Sequence, residues 1–310
     1  MLAVNPLFMR DFLIFWRMSP HFRGAIWKIT AFLFFSIIAG IVRYLSQTTQ
    51  AMGHAPLPAF ELAFFQSFLG FIFMIPWIIH NGSSALRTRH PLLQTSRILL
   101  YALGVVFFYS ALSYIPLSQA VALMFLGPLF TTLGARIFLK EKLSGERSLA
   151  ILIGFIGGLI VQTTFLDTSL GLYACLPFLA ALCFSGDVLL VRRLVQEDSP
   201  HLVVTYLLVF IAPLLLIPTL LYGAWPEPWQ WPWLFAMGGC AASAHLCLGK
   251  AFTCAEVTYL TPFVFTKWFA STLIGFVAFA EVPSLWTCIG AFILMGSIIM
   301  LSYRGARQST

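Results

Sequence analysis

Apolar stretches alternate with short polar breaks along nearly the whole chain. Ten such stretches cover approximately residues 27–49, 59–80, 97–114, 118–139, 148–164, 170–191, 201–222, 232–253, 257–280 and 285–303. Their lengths match the roughly 17–25 residues a helix needs to cross about 30 Å of hydrocarbon. The breaks carry turn formers: Gly53 to Pro58, Asn81-Gly82, Ile115-Pro116, Ser199-Pro200, Pro226 to Pro232 and Pro283. The runs are too long and continuous for the alternating strands of a membrane barrel. The pattern predicts an all-α integral membrane protein with ten transmembrane helices. Residues 1–26 are interrupted by Arg10, Asp11, Arg17 and Arg23 and do not read as a cleavable signal. They suit either a surface-lying amphipathic helix or a loose segment.

The pattern also repeats. Residues 111–144, ALSYIPLSQAVALMFLGPLFTTLGARIFLKEKLS, align without a gap on residues 251–284, AFTCAEVTYLTPFVFTKWFASTLIGFVAFAEVPS. Ala111 falls on Ala251, Thr132 on Thr272, Leu133 on Leu273, Glu141 on Glu281 and Ser144 on Ser284. Each copy has a short polar break, an apolar stretch and a glutamate where it stops. Residues 27–166 then form a first repeat and 170–303 a second, with 304–310 as a tail. Five spans per repeat is an odd number, so the second repeat runs inverted in the membrane. Inverted repeats place a substrate site near the midplane between the halves, and access alternates as the halves rock.

Composition settles the solvent. Hydrophobic residues make up 60% of the chain and charged residues 9%, against about 25% charged in a soluble domain. With ten spans, fifteen of the eighteen Lys and Arg residues fall on the side of the termini, Lys28 and Arg97 among them. The other three, Arg43, Arg136 and Lys267, fall inside spans. That asymmetry predicts cytoplasmic termini. It also accounts for the net charge of +7 without a nucleic-acid partner, since no basic face is interleaved with exposed aromatics. The six cysteines lie in or at the ends of spans without metal-ligand spacing. Ala244 to Ala251 misses a P-loop at its first glycine and its final hydroxyl. No catalytic set is visible, which disfavours an intramembrane enzyme, and no cofactor or metal is expected. The partners expected are a small-molecule substrate and the bilayer, for a monomer or homodimer.

Arg97 to Gly158 resembles the first-repeat signature of the drug/metabolite transporter superfamily, EamA branch. The features are Tyr109-Ser110-Ala111-Leu112, Pro128-Leu129-Phe130, the Leu139 to Glu141 stop and a glycine-rich fifth span. The second repeat follows with Ala251-Phe252, Thr261-Pro262-Phe263, Glu281 and Gly290. The resemblance covers residues 27–303 and implies ten helices, inverted repeats, a central cavity and a place in a bacterial inner membrane. Phe60 to Phe65, Asp187 and the Pro-Leu-Phe of span four also resemble the S-adenosylmethionine uptake transporters of intracellular bacteria. That narrower resemblance implies uptake of this metabolite, with S-adenosylhomocysteine as exchange partner. The alternative in the same superfamily is export of amino acids or drugs. Two departures stand out: Gln66 where that group carries arginine, and Lys267 where glutamate or an uncharged polar residue is usual.

Ionisable groups inside the bilayer are costly and are functional candidates. Lys267 lies ten residues past Val257 and thirteen before Ala280, too deep to reach water easily, and calls for a partner or an anionic substrate group. Asp187 suits a cation site or an ion pair with Arg192 in its own helix. Arg43 and Glu61 either neutralise each other near the membrane edge or contact substrate. His245 suits a helix–helix hydrogen bond or a cavity wall. Gln66 and the rings of Tyr101, Phe108, Tyr259, Phe263 and Trp268 lie on spans that line the cavity in the family and complete the candidate substrate set. Glu141 and Glu281 are expected to cap the helix that follows each or to gate the two mouths. Pro128 and Pro262 are hinge candidates, although six positions apart in the repeat frame. Gly154 and Gly158 make a GxxxG face for close helix approach.

Overall fold

A computed structural model describes residues 19–81, 88–139, 145–163, 171–255 and 257–306. Glu141 lies outside the described residues. The helices, in chain order, are α1 Pro20–Ala51, α2 Ala59–Ile72, α3 Ile75–Asn81, α4 Pro91–Tyr114, α5 Leu117–Leu123 and α6 Leu126–Leu139. They continue with α7 Gly145–Gln162, α8 Gly171–Leu194, α9 Pro200–Tyr222, α10 Trp231–Cys254, α11 Val257–Leu260, α12 Phe265–Phe279 and α13 Leu285–Ala306. There is no strand among the described residues. α2 with α3, α5 with α6, and α11 with α12 each make one broken span, so all ten expected spans are present. Nine are long and apolar enough to cross a membrane. The other, α10, has the length but is diluted by Gly238, Gly239, Ser243, His245 and Lys250.

Two of the helices begin in the same way. Ser19 Oγ accepts from the Phe22 N–H at 3.4 Å ahead of Pro20, and Ser199 Oγ accepts from Leu202 N–H at 3.2 Å ahead of Pro200. Serine satisfies an orphan N–H of the first turn, and proline has no N–H to leave unsatisfied. Pro177, Pro213 and Pro218 sit inside continuous α8 and α9.

Packing follows the duplication. α1 packs on α10 and α12, and its counterpart α8 packs on α4 and α6. α7 packs on α13 and α2 on α9, two pairs that a two-fold operation maps onto themselves. The first helix of each half is therefore embedded in the other half. The broken spans obey the same symmetry. The fourth span breaks at Met124-Phe125, between α5 and α6. The ninth breaks in a 3-10 turn, Thr261–Val264, before α12. The 140-residue repeat offset carries Met124 onto Val264, so the breaks coincide although Pro128 and Pro262 do not.

A pair of serines completes the symmetry. Ser36 Oγ on α1 donates toward the Lys267 carbonyl at 3.0 Å and toward Phe32 O at 2.9 Å. Ser185 Oγ on α8 donates toward the Gly127 carbonyl at 2.8 Å and toward Ala181 O at 2.5 Å. Gly127 and Lys267 are equivalent positions of the repeat. Each half thus supports the backbone just past the other half's helix break, where regular bonding is interrupted.

The expected GxxxG face does admit close neighbours, with Ser297 of α13 also against Gly154, and the closest backbone contact lies at the adjoining Gly157. A Cβ on Gly290 would stand 2.6 Å from the Gly157 carbonyl oxygen, whereas Gly154 and Gly158 receive Leu129 and Leu126 of α6. Backbone meets backbone where α7 crosses α13. Gly290→Leu is therefore expected to lower the thermal unfolding midpoint of the purified protein, with an overpacking cost of about 1–3 kcal/mol or more. An unchanged midpoint would contradict the close crossing.

Candidate functional site

A cavity of about 370 Å³ lies between the halves. Its walls run from Val195, Pro200 and Leu301, at helix ends on the side of the termini, to Ala39, Tyr109 and Met124 in the middle of the bundle. Both breaks contribute to it, through Gly127 and Pro128 on one side and Thr261, Val264 and Lys267 on the other. Among the described residues the wall carries five cations, Lys28, Arg97, Arg147, Arg192 and Lys267, and one carboxylate, Asp187.

The deep end is aromatic. Lys267 Nζ stands 4.8 Å from the centroid of Phe108 and 5.7 Å from that of Phe35. It makes no ion pair among the described residues. Tyr101 OH bonds His245 Nε2 at 3.0 Å, and the two rings meet edge-on. His245 therefore fulfils both expectations, a helix–helix hydrogen bond and a place on the cavity wall. Asp187 is not paired within its own helix. Arg97 Nε on α4 donates to Asp187 Oδ1 at 2.8 Å, and Arg97 Nη1 donates to Val203 O on α9 at 2.8 Å. Arg97 is only 3% exposed and Lys28 only 7%. Two residues counted as loop-side charges are thus buried in the cavity wall. The signal available was spacing: Lys28, Phe32 and Phe35 fall on one helix face.

Opposite the mouth, the bundle is closed. Arg43 Nε and Nη2 donate to Glu281 Oε1 at 2.8 and 2.6 Å, and Arg43 Nη1 donates to Leu112 O at 2.9 Å. Glu281 Oε2 accepts from Leu117 N–H at 2.9 Å, at the first turn of α5. Glu281 does cap a helix, but in the other half and not the helix that follows it. Arg43 and Glu61 do not neutralise each other. Glu61 Oε2 accepts from Ala224 N–H at 2.9 Å, in the connection after α9. Ala280, just before Glu281, adopts φ 52°, the left-handed region, and Glu281 N–H closes the helix onto Gly275 O at 3.0 Å. Such a backbone costs an alanine roughly 1–2 kcal/mol, a strain that fixes where the carboxylate points.

Most of the remaining candidates fall away from the cavity. No residue of α2 or α3 lines it, because α2 packs behind α4, against α9 and α10. Gln66 stands behind the wall and accepts from Tyr109 OH. Trp268 is buried and donates to Ser118 O at 2.9 Å, across the halves. Tyr259 is 43% exposed, with His21 and Phe263 as ring neighbours. Phe263 packs with Ala251, Ala255 and Leu260. Pro128 lies on the wall in the first turn of α6, while Pro262 sits in the 3-10 turn behind it.

Duplicated broken helices around a central cavity define a membrane transporter. The chain belongs to the EamA-like transporter family, whose pattern matches residues 22–163 and again 171–303. It is 32% identical to a riboflavin transporter of Brucella anthropi, over 79% of this chain and 88% of that protein. It is 30% identical to a riboflavin transporter of Vibrio cholerae, over 93% and 95%. It is 25% identical to an S-adenosylmethionine uptake transporter of Rickettsia prowazekii, over 92% and 94%.

Removing one partner of a buried ion pair strands the other charge, at about 3–5 kcal/mol. Glu281→Ala is expected to lower the thermal midpoint more than Arg43→Ala combined with Glu281→Ala does. Additive losses in a double-mutant cycle would show that the pair is not coupled.

Proposed function

We propose that the protein is an alternating-access carrier of riboflavin. The observation that carries this reading is the inventory of the described wall residues: rings at the deep end, five cations, and a single carboxylate already held by Arg97. An electroneutral flavin ring offers what such a site lacks. Its flat face stacks on Phe108 and Tyr101, and its carbonyl oxygens and N1 accept from Lys267. S-adenosylmethionine carries a sulfonium and an ammonium. Against its one carboxylate, those two positive groups would meet a described wall that already carries five cations. The relatives named as riboflavin transporters are also the more similar ones among those compared.

The described conformation is open toward the termini. In this reading the repeats 27–166 and 170–303 rock about the cavity, with residues 1–26 and 304–310 on the cytoplasmic face of a bacterial inner membrane. Opening the other mouth requires Arg43, Glu281 and the first turn of α5 to part.

Counterflow of labelled riboflavin into liposomes containing the purified chain tests the function. Saturable riboflavin counterflow that excess S-adenosylmethionine leaves intact is the expected result. Counterflow of S-adenosylmethionine, competed by S-adenosylhomocysteine, with none for riboflavin, would reverse the substrate assignment. Phe108→Ala is expected to weaken riboflavin binding by about 1–3 kcal/mol, the range for stacking a heteroaromatic ring on a side chain. Flavin fluorescence quenching in a titration measures that loss.

A further inference from the structure

Lys28 is a buried ammonium that pairs with no carboxylate among the described residues. It stands on α1, seven residues before Phe35, which is about 10 Å nearer the mouth along the helix axis. Its Nζ lies 5.1 Å from the centroid of Phe32 and 4.9 Å from that of Phe252 on α10. The rings hold the ammonium in place but do not neutralise it. Arg192 on α8 is close enough to repel it, and Arg147 lies on the same cavity wall. Asp187, the carboxylate among the described wall residues, is taken by Arg97 at 2.8 Å. Lys28 makes no ion pair among the described residues. Burial inside a membrane protein beside other cations makes the charged form of a lysine costly, and an anion seated against it would offset that cost.

We propose that the mouth of the cavity holds a second subsite, centred on Lys28, which takes the phosphate of a flavin phosphomonoester whose ring occupies the deep end. The proposal rests on the riboflavin reading of the deep end and adds a second ligand to it. Phe35 with Lys267, and Phe32 with Lys28, form two successive ring-and-ammonium stations along one face of α1. A ligand that is flat and neutral at one end and carries a charge near −2 at the other matches that order. Free riboflavin would fill the first station and leave the second with a hydroxyl.

Flavin fluorescence quenching by the purified full chain in detergent separates the possibilities, with riboflavin and flavin mononucleotide as probes. One charge-assisted contact corresponds to about a tenfold preference for the phosphorylated flavin. Lys28→Gln is expected to abolish that preference by weakening flavin mononucleotide selectively, and Lys28→Arg to retain it. Inorganic phosphate at millimolar concentration is expected to compete with flavin mononucleotide but not with riboflavin. Equal or weaker binding of the phosphorylated flavin, or a preference that survives Lys28→Gln, would overturn the subsite while leaving riboflavin binding in place. A preference lost on moving from neutral-lipid to phosphatidylglycerol nanodiscs would assign Lys28 to a lipid headgroup and overturn it equally. If neither flavin binds, the riboflavin reading itself falls.

Discussion

A charge placed in hydrocarbon has to be answered from within the protein, and here the answers come from the opposite half of the molecule. Arg43 in the first half meets Glu281 in the second. Arg97 in the first half meets Asp187 in the second. The two pairs sit toward opposite ends of the bundle, one sealing the closed end and one in the wall of the open cavity. The same cross-bracing governs the neutral contacts, Ser36 to the Lys267 carbonyl and Ser185 to the Gly127 carbonyl. The halves are therefore joined by polar contacts at identifiable positions. These contacts run through an apolar core that both halves share.

This arrangement gives the conserved geometry of the duplication a mechanical meaning. Each broken span leaves backbone groups at mid-depth, and each is braced by a helix that belongs to the other repeat. Movement of one half displaces the brace of the other. Glu281 ties the end of α12 to the start of α5, so the two broken spans are also linked to each other at the closed end. Ala280 holds its left-handed backbone where glycine would be relaxed, which is what directs the Glu281 carboxylate inward to its partners.

Periodicity and charge made the ten spans and their duplication legible, because lipid imposes length and polarity on every segment alike. Lys267, Asp187, His245, Tyr101 and Phe108 were legible as cavity residues for a related reason: a polar or ring-bearing side chain at mid-depth has few other places to go. Partners were not legible. Which carboxylate answers Arg43 depends on the packing of α1 against α12, and the sequence separation of 238 residues hides it. Lys28 and Arg97 were hidden by the opposite effect. They lie near helix ends, where a Lys or Arg ordinarily reaches water, and only the tertiary fold turns them inward. Glu61 and Gln66 were misplaced toward the cavity because depth alone does not say which face of α2 is presented to it.

The repeat is also broken at a position that both halves brace alike. Gly127 and Lys267 are counterparts, braced alike through their carbonyls, yet one has no side chain and the other an ammonium. A perfectly duplicated cavity would accept a flat ligand in two orientations related by the pseudo-two-fold axis, with equal energy. The single lysine removes that degeneracy. It gives the pocket a head and a tail, so that a ligand entering from the mouth has one end it must lead with.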